Sequence, residues 1–164
     1  MANKAESAVD IKWDSEAARQ GLKNLQRGVG EVAILMASHP VYGGLFLSDL
    51  RRVVAPPVLF NQYRIIRNQQ ARTLGFVSWA LVNEAVLKRL MKGLLKLRFQ
   101  DWQSGDNAVI MDVAAFTPAA GRHMLAEVKK SEFAKTHLWI SRPSAAAGEP
   151  KLTEWNIPDG GTRH

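Results

Sequence analysis

One carboxylate, Asp112, lies in the middle of an apolar run of strand length, residues 108–116. The polar residues just before this run, 101–106, have turn chemistry, because Gly105 accepts positive φ and aspartate can bond its own backbone. A buried, unpaired carboxylate is costly or has a raised pKa, so a buried Asp112 would indicate a partner or a chemical role. Side chains alternate along a strand, and an Asp112 on a solvated face is the competing interpretation. Spacing alone leaves both open.

Proton transfer at neutral pH favours histidine, and the chain has four: His39, His123, His137 and His164. Their spacings do not match the i, i+4 pattern with which a helix binds a metal ion, so we predict no metal site. His39 is the main candidate for chemistry, because it lies in a Pro/Gly loop after a long predicted helix. A structural histidine favoured by the helix dipole is the competing explanation. His123 is expected to be solvated and His137 to be structural.

Several other kinds of chemistry lack their motifs. The absence of cysteine excludes disulfides, thiolate nucleophiles and zinc–thiolate sites. No Gly-x-Ser-x-Gly sequence occurs, which leaves a nucleophile-elbow hydrolase unsupported. The doublets Gly43-Gly44 and Gly160-Gly161 lack the rest of a P-loop or dinucleotide fingerprint. We therefore expect no bound cofactor.

The chain is strongly basic, with a formal net charge of +7. This charge favours an acidic partner, which leaves nucleic acid, an anionic membrane and an acidic carrier protein open. The pairs Arg51-Arg52, Lys88-Arg89 and Lys129-Lys130 would contribute to docking, although a solvated surface explains each pair alone. No segment is apolar for long enough to span a bilayer, and no signal-peptide pattern opens the chain. A cytoplasmic protein is the expectation.

The patterning predicts an α/β fold of the α+β type, with a central mixed or antiparallel sheet flanked by helices in one domain, residues 14–157. Residues 1–13 are predicted to form a flexible arm and residues 158–164 a tail. Helices are predicted over 15–38 and 45–54, after an Asn83 cap, and from a Thr117 cap to about 130; strands are predicted over 62–67, 73–81, 108–116, 136–141 and 151–157. We expect Phe46 to face inward in the second helix and Pro56-Pro57 to end it.

A set of short motifs, in a fixed order from about residue 35 to residue 116, resembles a known family. The chain is similar to the RTX toxin-activating lysine acyltransferases, bacterial enzymes that move a fatty acyl group from acyl carrier protein to lysines of a protoxin. The motifs are Ala37-Ser38 with Pro40, the helix ending at Pro56-Pro57, Asn61-Gln62-Tyr63, Ser78-Trp79-Ala80, Asp101-Trp102-x-Ser104-Gly105-Asp106, and Asp112. Ser-Trp-Ala combined with Asp-Trp-x-Ser-Gly-Asp-x5-Asp is a specific pattern.

The resemblance implies a fold similar to the GCN5-type acetyltransferases, a homodimer, acyl carrier protein as the acyl donor, and a target protein, such as an RTX-type protoxin, that presents the acceptor lysine. It implies no nucleic acid partner. In the family, an aspartate at the position of Asp112 and a histidine are the catalytic pair. Here Tyr42 occupies the position of that histidine, and His39 lies three residues earlier.

Three accounts of the reaction follow. In the first, which we adopt as the prediction, His39 is the general base and Asp112 orients it, while Ser78 and Trp79 line the site. In the second, Tyr42 donates a proton to the leaving thiolate and Asp112 orients the amine. In the third, the protein is a degenerate relative that binds acyl carrier protein or a partner without catalysis.

Overall fold

The computed structural model describes residues 16–94, 96–134, 137–142 and 151–155. The helices are α1 (Glu16–Ser38), α2 (Leu50–Val53), α3 (Ala55–Leu59), α4 (Glu84–Met91) and α5 (Pro118–Glu132), with 3-10 turns at Leu47–Asp49 and Phe99–Asp101. The strands are β1 (Tyr63–Arg67), β2 (Thr73–Val82), β3 (Asn107–Ala115), β4 (Leu138–Arg142) and β5 (Lys151–Glu154). The predicted arm, tail and residues 143–150 lie outside these ranges.

The five strands form one sheet in the order of the sequence, β1-β2-β3-β4-β5. Neighbouring strands are antiparallel except β3 and β4, which are parallel and are connected through α5. A parallel pair needs such a crossover because a tight turn cannot join strands that run the same way. The predicted α+β class with a mixed sheet is confirmed, and so is the edge position of the last strand.

Each face of the sheet is covered by its own set of helices. On the face that we call the α5 face, Val77, Trp79 and Ile110 pack against Met124 and Val128 of α5. The opposite face is covered by α1 to α4 and carries two buried clusters, one around Val32, Met36, Phe76 and Ala114, the other around Val82, Leu87, Leu90, Trp102 and Val109. Alternation along β2 therefore separates Trp79 from its neighbour Ser78, which lies on the opposite face.

Helix α1 approaches β1 and α3 closely at Gly28. A Cβ atom at this position would lie 2.8 Å from Cγ1 of Val58 and 3.0 Å from the Tyr63 hydroxyl. The glycine that weakens the helix locally is thus the residue that lets it pack against the sheet. Within α1, Val32 and Met36 are buried, whereas Leu22 is exposed.

The helical prediction was wrong around Pro56-Pro57. These prolines lie in the first turn of α3 and begin a helix instead of ending one. Proline is tolerated there because the first amide groups of a helix have no intrahelical acceptor. Phe46 was predicted to face inward but is 76% exposed, because the chain between α1 and α2 is a loop and a 3-10 turn.

The predicted N-caps are confirmed at Asn83 and Thr117. Oδ1 of Asn83 accepts the amide N–H of Val86 at 2.9 Å, and Oγ1 of Thr117 accepts that of Ala120 at 3.1 Å. Replacing Asn83 by Ala should lower the free energy of unfolding by about 1 kcal/mol, since one amide loses its acceptor. Urea denaturation would measure the loss, and Asn83→Asp should retain most of the stability. Equal losses in both variants would contradict the capping role.

Candidate active site

A bulge in β3 determines where Asp112 points. Ser78 pairs with Asp112, but the next residue, Trp79, pairs with Ile110, so Met111 is an extra residue in β3. Met111 packs with the α4 side of the sheet, and Asp112 bonds Ser78 on that same face. Two consecutive side chains therefore share one face, and Asp112 is turned into the helical layer instead of the α5 face. Bulges often re-aim side chains next to active sites.

Two hydroxyl groups face Asp112. The Ser78 hydroxyl donates to Oδ2 of Asp112 at 3.2 Å, and Ser78 is fully buried. The Tyr42 hydroxyl lies beside the same carboxylate and the amide N–H of Val113, and it acts on the pKa of Asp112. Asp112 is only partly exposed and bonds Ser78 on the helix-covered face of the sheet, so its side chain does not lie on a solvated face.

Burial sets the protonation of this pair. It raises the pKa of Asp112 to about 6, although the hydrogen bonds from Ser78 and Tyr42 lower it in part. Burial and the charge of Asp112 raise the pKa of Tyr42 well above the usual value for a phenol, despite the stabilising amide of Val113. Around neutral pH the site therefore combines an ionised carboxylate with a neutral phenol that keeps its proton.

His39 lies beside Tyr42, and its ring nitrogens bond main-chain groups instead of Asp112. Its Nε2–H donates to the carbonyl oxygen of Ala115 at 3.1 Å, and its Nδ1 accepts the amide N–H of Val41 at 3.2 Å. Because a carbonyl only accepts and an amide N–H only donates, these bonds require the neutral Nε2–H tautomer. The ring also packs against Tyr42 and Phe116, with centroids 5.3 and 5.8 Å apart. His39 thus ties the Tyr42 loop to the end of β3.

The structure brings together three of the five predicted site residues, namely Tyr42, Ser78 and Asp112. Trp79 lies on the α5 face, edge-on to Phe133, so it does not share the face of the carboxylate. It is Tyr42 that lies beside Asp112, whereas main-chain groups occupy both ring nitrogens of His39. His123 is exposed as expected, and His137, just before β4, is exposed and pairs with Glu154.

The signature Asp101-Trp102-x-Ser104-Gly105-Asp106 has a mainly structural role. Its residues do not line the site as a group. Asp101 is buried and accepts the amide of Arg98 at 2.8 Å as well as the guanidinium of Arg89. Gly105 lies so close to the chain that a Cβ atom would come within 2.6 Å of Cα of Asn83. Ser104 donates its amide to the carbonyl of Leu81 at 2.8 Å. These contacts join the signature to the end of β2 and the start of α4.

Each member of the pair lines a different cavity. Asp112 lies in the wall of a cavity of about 240 Å³, here called the inner cavity, together with Met111, Leu97 and Trp102. Tyr42 lies in the wall of a cavity of about 210 Å³, here called the Tyr42 cavity, formed between α1 and the loop that precedes α2. Periodicity gave no signal for either cavity, because their walls come from residues far apart in the chain.

In the part of the chain that the structure describes, no group of three or more His, Asp or Glu side chains is placed to hold a metal ion. No described helix has both the length and the hydropathy needed to cross a bilayer.

Residues 23–155, which contain the whole sheet and the hydroxyl–carboxylate site, match the family model of HlyC, the RTX toxin acyltransferase family. The chain is a member of this family. It is 24% identical to the lysine-acyltransferase RtxC of Vibrio cholerae over 119 residues, which are 72% of this chain and 76% of the relative. The leukotoxin-activating lysine-acyltransferase LtxC of Aggregatibacter actinomycetemcomitans is 26% identical over 78% of this chain and 74% of its own. The RTX-I toxin-activating lysine-acyltransferase ApxIC of Actinobacillus pleuropneumoniae is 33% identical over 58% and 57% of the two chains.

The raised pKa of Asp112 predicts how stability depends on pH. The folded pKa of about 6 exceeds the ordinary value of 3.8, so the folded state binds more protons between these values. This group's contribution to the free energy of unfolding should therefore be fully retained below about pH 4 and fall by on the order of 3 kcal/mol as the pH rises through about 6. In Asp112→Asn this fall should be absent. Melting temperatures of the two proteins from pH 4 to 8 would check it, and parallel curves would contradict it.

Proposed function

We propose that this protein transfers a fatty acyl group from the thioester of an acyl carrier protein to the ε-amine of a lysine in a target protein, as a toxin-activating acyltransferase. The observation that carries the proposal is the contact of Tyr42 and Ser78 with a partly buried, ionisable Asp112 in a chain of this family. Family membership also supports the related proposals of a fold similar to the GCN5-type acetyltransferases, a homodimer, a cytoplasmic location and a protoxin as target.

In the proposed reaction Asp112 accepts the proton of the attacking amine. A pKa near 6 leaves the carboxylate ionised at neutral pH and makes it a stronger base than an ordinary aspartate. The amine nitrogen forms a bond to the thioester carbonyl carbon, the C–S bond breaks, and the proton removed from the amine finally resides on the carrier thiol. An amide and a free thiol are the products, and all atoms are accounted for.

Tyr42 supplies the complementary hydrogen-bond donor. Its raised pKa keeps the phenol neutral, so it donates to the carbonyl oxygen as negative charge develops there, or to the sulfur as the thiolate leaves. The role of Tyr42 follows the second of the three accounts drawn from the sequence, whereas Asp112, which only orients the amine in that account, accepts its proton here. A histidine base at residue 39 would first have to release its Nδ1 from the Val41 amide, so we propose instead that His39 positions Tyr42.

The basic surface of the chain suits an acidic carrier. Arg51, Arg52 and Lys96 are exposed and line cavities next to the site, and the chain as a whole carries a net charge of +7. Attraction between exposed charges is screened by salt over about 8 Å at physiological ionic strength. Carrier affinity should accordingly fall as the salt concentration rises, whereas the site itself, being buried, should be affected less.

The test is the rate at which free carrier thiol appears when the protein meets a long-chain acyl carrier protein and an acceptor amine. Wild type, Asp112→Ala, Tyr42→Phe and His39→Ala are compared. We expect Asp112→Ala to lose turnover, Tyr42→Phe to lose about 100-fold and His39→Ala about tenfold. In the wild type kcat/KM should rise with pH through about 6, where Asp112 loses its proton.

Each alternative gives a different pattern in the same assay. Turnover lost in His39→Ala but kept in Tyr42→Phe would make His39 the base and contradict the proposed roles. A wild-type protein that binds the carrier but releases no thiol above buffer would contradict the enzyme and identify a binding module. A pH profile that is flat between 5 and 7 would contradict Asp112 as the proton acceptor.

A further inference from the structure

Trp102 has a buried hydrogen-bond donor without a partner. The side chain is 2% exposed, and its Nε1–H finds no acceptor in the part of the chain that the structure describes. A buried donor left unpaired costs free energy, and such groups often have a ligand or water as their partner. Trp102 also lines two cavities: the inner cavity, whose wall includes Asp112, and a second one of about 270 Å³, here called the outer groove.

The outer groove and the inner cavity share part of their walls, and the two together are here called the path. The shared residues are Arg52, Leu97 and Trp102. The outer groove has Ser48, Arg51 and Arg52 in its wall, and Arg52 is half-exposed and pairs with Asp49 at 2.6 Å. Lys96 is exposed and joins the wall of the inner cavity. The wall of the path therefore contains cations, the Trp102 indole among apolar side chains, and the carboxylate of Asp112.

The Tyr42 cavity differs from this path, because the side chains in its wall are uncharged. They include Met36, Leu45, Phe46 and Leu50, together with Tyr42. Such a wall suits an alkyl chain, because burial of hydrocarbon is favourable and an alkyl chain needs no hydrogen-bond partners. The two spaces that adjoin the Tyr42–Asp112 pair thus suit two chemically different halves of one ligand.

We propose that the outer groove and the inner cavity hold the phosphopantetheine arm of the acyl carrier protein, and that the Tyr42 cavity holds the acyl chain. The inference rests on the proposed function. The phosphodiester would lie at Arg51 and Arg52, an amide carbonyl of the arm would accept from Nε1 of Trp102, and the thioester would lie at the Tyr42–Asp112 pair. The reverse placement, with the acyl chain in the inner cavity, leaves the Trp102 donor unpaired and sets Lys96 beside hydrocarbon.

The experiment compares binding of apo and holo acyl carrier protein, which differ only in the arm and need no catalysis. The wild type should bind the holo form about tenfold more tightly than the apo form. Trp102→Phe, which keeps an aromatic ring but removes the donor, should lower holo affinity about fivefold and leave apo affinity unchanged. Lys96→Gln should act in the same direction. Arg122→Gln on α5 is the control with the same charge change, and it should preserve the ratio of holo to apo affinity.

Two variants guard against a folding artefact. Lys96 is exposed, so Lys96→Gln tests the path even where Trp102→Phe disturbs the core. Met111→Trp narrows the inner cavity and should weaken holo carrier that bears no acyl chain. If it instead weakens only carriers with a long, amide-linked acyl chain, the inner cavity holds the chain and the proposed arm site is overturned. Equal affinity of the wild type for apo and holo carrier overturns it as well.

Failure of this inference can be told apart from failure of the proposed function. The protein could transfer no acyl group and still bind the holo form more tightly, with a preference that Trp102→Phe and Lys96→Gln reduce. That result would support the arm site and contradict the proposed enzymatic function. Normal acyl transfer with equal apo and holo affinity would do the opposite.

Discussion

Replacing Asp112 by Asn should lower the rate of acyl transfer about a thousandfold while the protein stays folded. The carboxamide keeps the size of the side chain and can still accept from Ser78 and Tyr42, but it cannot take a proton from the amine. Loss of a positioned general base typically lowers the reaction rate by about 10²- to 10⁴-fold, and the loss expected for this variant lies within that range. Single-turnover transfer from acyl carrier protein, with melting temperature as a measure of folding, gives the comparison.

Ser78→Ala is the matched control for this prediction. It removes one of the two hydroxyl donors to Asp112 and leaves the base in place. We expect a loss of turnover of about tenfold or less, because the Tyr42 hydrogen bond remains and the lost bond is between a neutral donor and the carboxylate. If Asp112→Asn were as active as the wild type, another group would have to accept the proton, and the proposed mechanism would be wrong.

The largest effect on stability is expected at Asp101. This carboxylate is 3% exposed, and the amide of Arg98 together with the Arg89 guanidinium keeps its pKa below the ordinary range. Asp101→Ala would leave both arginines without this partner at the junction of β2, α4 and the signature loop. Breaking a buried ion pair by removing one partner costs roughly 3–5 kcal/mol. We expect about 3 kcal/mol here, because both guanidinium groups are partly exposed and regain water.

Asp106 provides the control within the same signature. It is exposed, so Asp106→Ala should change the free energy of unfolding by less than about 0.5 kcal/mol. Urea denaturation of the two variants and the wild type would separate the cases. Similar small losses in both would mean that Asp101 does not anchor the loop, and the structural explanation of the signature would fail.

Local chemistry made much of the fold predictable. The caps at Asn83 and Thr117 and the strand-forming run after Thr73 each depend on neighbours in the chain, so the sequence indicates them directly. Pro56 was misinterpreted because proline is compatible with the first turn of a helix as well as with its end. Which of the two applies depends on how α3 packs against β2, and that is a tertiary property.

The site was predictable in its members but not in its contacts. Residue type and resemblance singled out Tyr42, Ser78 and Asp112, yet the bulge at Met111 that turns the carboxylate toward Tyr42 has no pattern in the sequence. Histidine chemistry made His39 the preferred base, whereas the structure commits its ring nitrogens to Val41 and Ala115. The sequence indicates Trp102 only as part of a turn, because a buried hydrogen-bond donor without a partner can be recognised only from the three-dimensional structure.

The separation between the Asp101 anchor and the Tyr42 loop has a consequence for substitutions. The anchor holds the end of β2 to α4, while residue 42 lies on a loop tied down mainly through His39 and the end of β3. A change of the side chain at position 42 should therefore cost less free energy of unfolding than a change at Asp101. On this view the scaffold can accept different side chains at position 42 while the Asp101 anchor keeps the fold in place.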